Sequence, residues 1–243
     1  MSKEVATTSQ EAELAALTGN IDSFGQEQSA QDIVMPKLLV MQPGSKLVTD
    51  GIAKFGEFRN SLTHDLLGSI ENELEVVPIT IQKTFTISKK LDGRWQYFGI
   101  EPVAYASEQR PYEEIIDGVE TKNELTYNLY CLIGDDALPY CVSLKGMSSR
   151  AGKSAFTHMY VTNYQLKKIL PFTHRLILSG KKTQNDKGTF VTLSIRPTVE
   201  AEMEEKIAAA NWCKVLQEQE VKTDDSDVRP APKVDSDANE MQY

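Results

Sequence analysis

The sequence predicts a mainly β chain with flanking helices, an α+β protein whose strands form a partly open antiparallel barrel. One helix lies between the second and third hairpins and another follows the last strand. Three observations predict this: apolar and polar residues alternate from residue 74 onward, three pairs of such runs are joined by short turn sequences, and within that region helical spacing appears only between the second and third pairs and after the third.

The elements follow in order. Thr8 and Glu11 have capping-box spacing, and Leu14, Leu17, Ile21 and Phe24 recur at intervals of three and four, which predicts a short amphipathic helix in an acidic segment covering residues 1–30. From residue 33 the stretches IVMPKLLVMQPGSKLV and GIAKFGEFRNSLTHDLLGS are punctuated by glycine and predict short extended pieces and turns. ELEVVPITIQKTFTISKK then alternates, which predicts a long strand with Val77, Ile79, Ile81, Phe85 and Ile87 on one face. Residues 94–100 return across a Leu-Asp-Gly turn as its hairpin partner. The charged segment 101–124 reads as a loop. Residues 125–133 and 138–145 make a second hairpin around Gly134, Asp135 and Asp136. Residues 148–170 predict a helix with a serine at its start and a stop at Pro171, and residues 173–183 and 188–197 form the third hairpin. Thr198 is positioned to cap a last helix, with Glu200 and Glu202 in its first turn. Beyond about residue 220 the chain is rich in acid, Pro and Ser, which predicts a disordered acidic tail over 221–243 after a folded domain of 31–220. The order of hairpin, hairpin, helix, hairpin is that of an OB-like fold, a partly open barrel that binds oligonucleotides on one face.

Composition narrows the function. The 243 residues are 40% hydrophobic, which excludes a chain that is disordered throughout. No apolar run approaches the ~20 residues that span a bilayer, and the polar N-terminus does not read as a signal peptide, so a cytoplasmic protein without a membrane partner is expected. Three cysteines and three isolated histidines give no metal-ligand spacing. No metal and no cofactor is expected.

The net charge of −9 conceals a strongly basic block. Between residues 145 and 196 there are ten Lys and Arg residues and one acid, Asp186, and the segments on both sides are acidic. Binding single-stranded nucleic acid without sequence preference needs cations along the phosphates and flat side chains under the bases. The block supplies Lys145, Arg150, Lys153, Lys167, Lys168, Arg175, Lys181, Lys182 and Lys187, interleaved with Tyr160 and Tyr164, and the strands before it add Trp95 and Tyr97. Lys181 and Lys182, with Lys187 across a turn, read as a basic finger. The plain alternative is that most of these aromatics are core and the lysines ordinary surface.

The stretch GMSSRAGKS nearly spells a phosphate-binding loop, but it has five residues between its glycines where four are needed, and antiparallel hairpins do not supply the parallel sheet such a loop sits on. No other catalytic constellation is present, so a non-enzymatic protein is expected, with a nucleoside triphosphatase as the least favoured alternative.

The stretches IVMPKLLVMQPGSKLV, GIAKFGEFRNSLTHDLLGS and ELEVVPI, followed by YCVSLKGMSSRAGKSAFTHM and a basic hairpin with QNDKGTF, resemble a group of bacteriophage early proteins encoded near replication genes. The resemblance covers about residues 33–215. It implies a phage single-stranded DNA-binding protein of the OB type, or a relative acting in replication, recombination or late transcription in the cytoplasm of an infected bacterium. Such proteins typically carry an acidic tail that recruits partners. Here Asp224, Asp225, Asp227, Asp235, Asp237, Glu240 and Tyr243 would form it and contact replication or transcription proteins, although Lys222, Arg229 and Lys233 interrupt the acidic run. The expected ligand is single-stranded DNA, with RNA as a variant because nothing marks a reader of the 2′-hydroxyl. Self-association is left open. The rival reading is a phage regulator that binds a host RNA polymerase or nuclease.

Overall fold

In the computed structural model residues 34–102, 110–136, 138–186, 188–218 and 222–223 are described. The expected helix over 8–24, Lys187, and the tail residues Asp224, Asp225, Asp227, Asp235, Asp237, Glu240 and Tyr243 lie outside them.

The organising element is a long antiparallel ribbon, β5 (Leu74–Leu91) against β8 (Val119–Ile133). Asp92 and Gly93 both have positive φ and turn the chain into β6 (Arg94–Pro102), which pairs with the second half of β5. The segment expected to be a loop departs from expectation. It holds β7 (Glu113–Ile116), which reaches β8 through a second Asp-Gly turn at Asp117 and Gly118, also at positive φ, so β8 starts six residues earlier than the run of apolar residues suggests. The other half of the ribbon is flanked by β9 (Tyr140–Leu144) on β8 and by the hairpin β10 (His174–Asn185) and β11 (Gly188–Glu200), in the order β11-β10-β5-β8.

Two short units precede the ribbon. β1 (Val34–Met35) pairs in parallel with β12 (Lys222–Thr223), and β2 (Leu38–Val40), β3 (Glu57–Asn60) and β4 (Leu66–Ser69) form a small antiparallel sheet, with the one-turn helix α1 (Lys46–Thr49) between β2 and β3. This sheet is attached at both sides. Cys141 N–H donates to the Pro36 carbonyl at 2.9 Å, and the Gln42 side-chain amide accepts from Val191 N–H at 2.8 Å and donates back to its carbonyl at 3.4 Å. Gly180 makes that approach feasible, because a Cβ there would lie 2.6 Å from Ile70. The strands curl in this way without closing into a barrel.

A bulge divides the core in two. Val77 pairs with Leu132 and Pro78 with Cys131, but the next partner, Tyr130, belongs to Thr80, so Ile79 is an extra residue. The inserted residue reverses the alternation. Val77 and Ile79 therefore pack with Met35, Tyr130, Leu132 and Phe172, whereas Val76 and Ile81 pack with Phe58, Leu129 and Leu144 on the other side. The expected single face for Val77, Ile79, Ile81, Phe85 and Ile87 is thus corrected. Pro78, which has no N–H for a continuous ladder, sits next to the irregularity.

Each core is closed by a helix. After a 3-10 turn (Gly146–Ser148), α2 (Ser149–Phe156) covers the first, and the chain continues without a break as a π-helix (Thr157–Lys167). The serine at its start does not cap it, because Ser148 Oγ accepts a 3.0 Å bond from Leu193 N–H of β11. The helix ends at Lys168 in the left-handed region, three residues before Pro171. α3 (Met203–Glu218) covers the second core through Ala209 and Leu216. It begins later than expected. Thr198 and Glu200 belong to β11, whose ladder runs on to His174, and the acids of the first turn are Glu204 and Glu205 in place of Glu200 and Glu202. Glu205 instead accepts from Glu202 N–H at 2.8 Å.

Candidate nucleic-acid interface

The basic block does not form one surface. The 3-10 turn ahead of α2 docks on β11, which brings Lys145, Met147 and Ser148 against Asn185, Gly188, Thr189 and Phe190 around a cleft of about 390 Å³. Arg150 and Lys153 follow on α2, exposed and one turn apart. Lys181 and Lys182 stand on β10 a few residues before Asn185, but successive strand residues point to opposite faces, so they do not act as one finger. Lys182 shares the face of its register partner Val191, with its ammonium 5.8 Å from the Phe55 ring, while Lys181 projects from the opposite face beside Thr192. Lys145, Arg150, Lys153 and Lys181 have no acid partner among the described residues.

Other members of the block are committed elsewhere. Arg175 bonds Glu205 at 2.9 Å and Glu75 at 3.3 Å, with Glu202 at 3.6 Å, and the hydrogen bond it donates to Glu205 is the main reason its guanidinium pKa is raised. Tyr160 is half-buried, its hydroxyl 2.8 Å from Thr80 Oγ1 and its ring 5.1 Å from that of Phe156, so it closes the first core. Tyr164, Lys167 and Lys168 are exposed at the far end of the π-helix, roughly 20 Å of helix away from Lys153.

A second surface lies on the free half of the ribbon. Trp95 on β6 is exposed and carries the Lys122 ammonium 4.0 Å above its ring; the same ammonium is 6.0 Å from Tyr112. Phe98, the extra residue of a second bulge, is 58% exposed with the Lys89 ammonium 3.6 Å from its ring centre; Lys89 alternates with Ser88 and Lys90, the register partners of Lys122 and Trp95, so this pair belongs to the opposite face of the ribbon. Tyr97 is half-buried between them in sequence and pairs with Ser88. Flat, exposed rings held beside ammonium groups are the parts that a stacked base next to a phosphate requires. Lys89, Lys122 and Tyr112 were not singled out from sequence. Tyr112 and Lys122 lie in the segment that the sequence presents as a loop, and Lys89 lies in the predicted long strand, where nothing in the sequence sets it apart. The two surfaces approach each other along β8, where a Cβ on Gly146 would lie 3.4 Å from Glu124, two residues from Lys122.

The glycine-rich stretch serves packing. Ser149, Arg150 and Ala151, which would have to wrap a phosphate, are already helical, and a Cβ on Gly152 would lie 2.4 Å from Tyr127 Cβ. Gly152 is what lets α2 rest on β8.

Between the π-helix and β10, His158 and His174 meet edge to face with centroids 5.5 Å apart, and His158 Nε2 and His174 Nδ1 each lie 3.5 Å from the buried Asn163 Nδ2. Burial, with His174 and Lys167 nearby, lowers the His158 pKa. Burial also raises the thiol pKa of Cys131. Among the described residues no three His, Cys, Asp or Glu side chains are grouped to hold a metal ion, and no helix is long and apolar enough to cross a membrane.

No curated protein and no solved structure matches the chain. A family model does, over residues 7–222, which takes in every described element from β1 to the start of β12. The chain, with its open antiparallel sheet and its two cation-bearing surfaces, belongs to the bacteriophage family described as Pam3 phage gp34-like protein.

Proposed function

We propose that this protein binds single-stranded DNA without sequence preference and organises it during phage replication or recombination. The observation that carries the reading is the cleft between the 3-10 turn and the β10–β11 hairpin, which Lys145 lines, with Arg150 and Lys153 exposed further along α2 and Lys182 on β10 opposite Val191, which also lines it. Cations kept clear of acids in a chain of net charge −9 serve a polyanion better than they serve solubility. Trp95 and Tyr112, with Lys122, supply stacking for the bases, at about 1–3 kcal/mol per engaged base. Arg175 and Tyr160 hold the fold in this reading, and Tyr164, Lys167 and Lys168 lie outside the binding track. Recruitment of replication or transcription proteins falls to the acidic residues after 223.

Fluorescence anisotropy with labelled single-stranded DNA, duplex DNA and single-stranded RNA, each at two salt concentrations, tests this. Salt-sensitive binding to single-stranded DNA that exceeds binding to duplex is expected, together with quenching of tryptophan fluorescence that is reduced in Trp95→Ala. Absence of single-strand binding at low salt overturns the proposal, and a clear preference for RNA reassigns the ligand.

A further inference from the structure

A groove of about 670 Å³ opens between the end of the π-helix and the first half of α3, away from both cation-bearing surfaces. Its walls include Tyr164, Leu170, Met203 and Ile207, each more than half exposed, with Met203 at 68%. Four large apolar side chains converging on one concavity form the kind of exposed surface that marks a docking site.

Three observations indicate what covers it. First, the chain enters the described fold close by. Met35 packs in the second core with Ala209 and Leu216 of α3, Ala210 lies at the edge of that core, and Ala210 also lines the groove. Second, the segment before Val34 has a matching pattern. Leu14, Leu17, Ile21 and Phe24 fall on one side of a helix, and the residues between 24 and 34 can span up to about 30 Å, which exceeds the roughly 24 Å length of α3. Third, the family's shared region begins at residue 7, so this segment belongs to the unit the family has in common. Charge agrees. Residues 1–34 contain six acids and one base, and Lys168 lines the groove with no ion pair among the described residues, whereas Lys206 is bonded to Glu200.

We propose that residues 8–24 of the same chain dock as an amphipathic helix in the groove between the π-helix and α3, with Leu14, Leu17, Ile21 and Phe24 against Tyr164, Leu170, Met203 and Ile207. The inference does not depend on the DNA-binding reading. Docking joins the N-terminal segment to the element that closes the second core, and it leaves the cleft beside α2 open for a ligand.

The test uses the full chain carrying Cys213→Ser, which removes the partly exposed thiol, and Ala16→Cys, which places a nitroxide label beside the apolar stripe rather than on it. Methyl signals of Met203 and Ile207 are expected to lose intensity on labelling, to the same extent after dilution, and to recover when Ile21→Glu is added. The recovery is read only in a variant whose thermal unfolding still matches the parent. No loss of signal in the labelled chain overturns the proposal. Loss that appears only when labelled chains are mixed with isotope-enriched unlabelled ones also overturns it, because the groove is then filled by a second copy.

Discussion

At the scale of single residues, the closest contact is where α2 meets β8. Gly152 has an ordinary helical environment apart from the Tyr127 backbone-proximal atoms that would lie 2.4–2.9 Å from any Cβ. Tyr127 is buried, so neither partner has room to move. Gly152→Ala is therefore expected to lower unfolding free energy by about 1–3 kcal/mol in urea titration, the usual cost of overpacking, although alanine favours a helix more than glycine does. Gly99→Ala, where nothing lies within 4 Å and φ is not positive, should change stability by less than about 1 kcal/mol. His158 gives a pH-dependent prediction. Its folded pKa is depressed below the ordinary 6.5, chiefly by burial and then by His174 and Lys167. Below that ordinary value the unfolded chain takes up a proton that the folded chain still refuses, so acidification favours unfolding until the folded pKa is passed. Melting temperature should fall as pH drops from 7.5 through 6.5, and His158→Gln should flatten this part of the profile. An unchanged profile in the variant removes His158 as its source.

At the scale of elements, the helix between the second and third hairpins ends on a lysine, Lys168, with φ of 58°. That conformation suits glycine, and no ion pair compensates a lysine there among the described residues. Lys168→Gly is expected to raise stability by about 0.5–1 kcal/mol in chemical denaturation, while Lys168→Val lowers it. The same scale shows what the sequence made legible. All three hairpins, the intervening helix and the last helix could be read, because alternation and turn residues mark them locally. The Asp-Gly turn at 92–93 was legible and the identical chemistry at 117–118 was passed over, since the strand before it, Glu113–Ile116, is too short and charged to show alternation. The bulge at Ile79 was invisible for a different reason. Val76, Val77, Ile79 and Ile81 are all apolar, so the pattern stays hydrophobic whichever face each residue takes, and only the partner strand records the shift. Thr198 carried a correct local signal for a helix start that was overridden by the continuing ladder from β11 to β10. The site was less legible than the fold. A run of bases identifies a charged stretch, but strand alternation sends Lys181 and Lys182 to opposite faces, and acids more than 25 residues away in sequence decide that Arg175 is not available.

At the scale of the whole molecule, charge is sorted by folding as well as by sequence. Glu73 and Glu75 at the start of the ribbon and Glu205 on α3 neutralise Arg196 and Arg175, so the outer end of the third hairpin is electrically quiet. Lys145, Arg150, Lys153 and Lys182 are without such acid partners among the described residues, and Lys145 lines the cleft at the turn end of the same hairpin. The number of phosphates neutralised there can be measured, because each cation that replaces a counterion on a single strand contributes about −0.7 to the slope of log K against log salt. Four engaged cations should give a slope of about −3. The double variant Lys145→Ala with Lys153→Ala should bring it to roughly half that value and weaken binding at low salt, while Trp95→Ala weakens binding with the slope unchanged, because stacking releases no counterions. Arg175→Ala provides the contrast: it should lower the unfolding midpoint by freeing Glu75 and Glu205 and leave the slope as it is. If Arg175→Ala reduces the slope as much as loss of Lys153 does, the phosphate track runs over the acid-paired end of the hairpin, and the cleft beside α2 is not the binding surface.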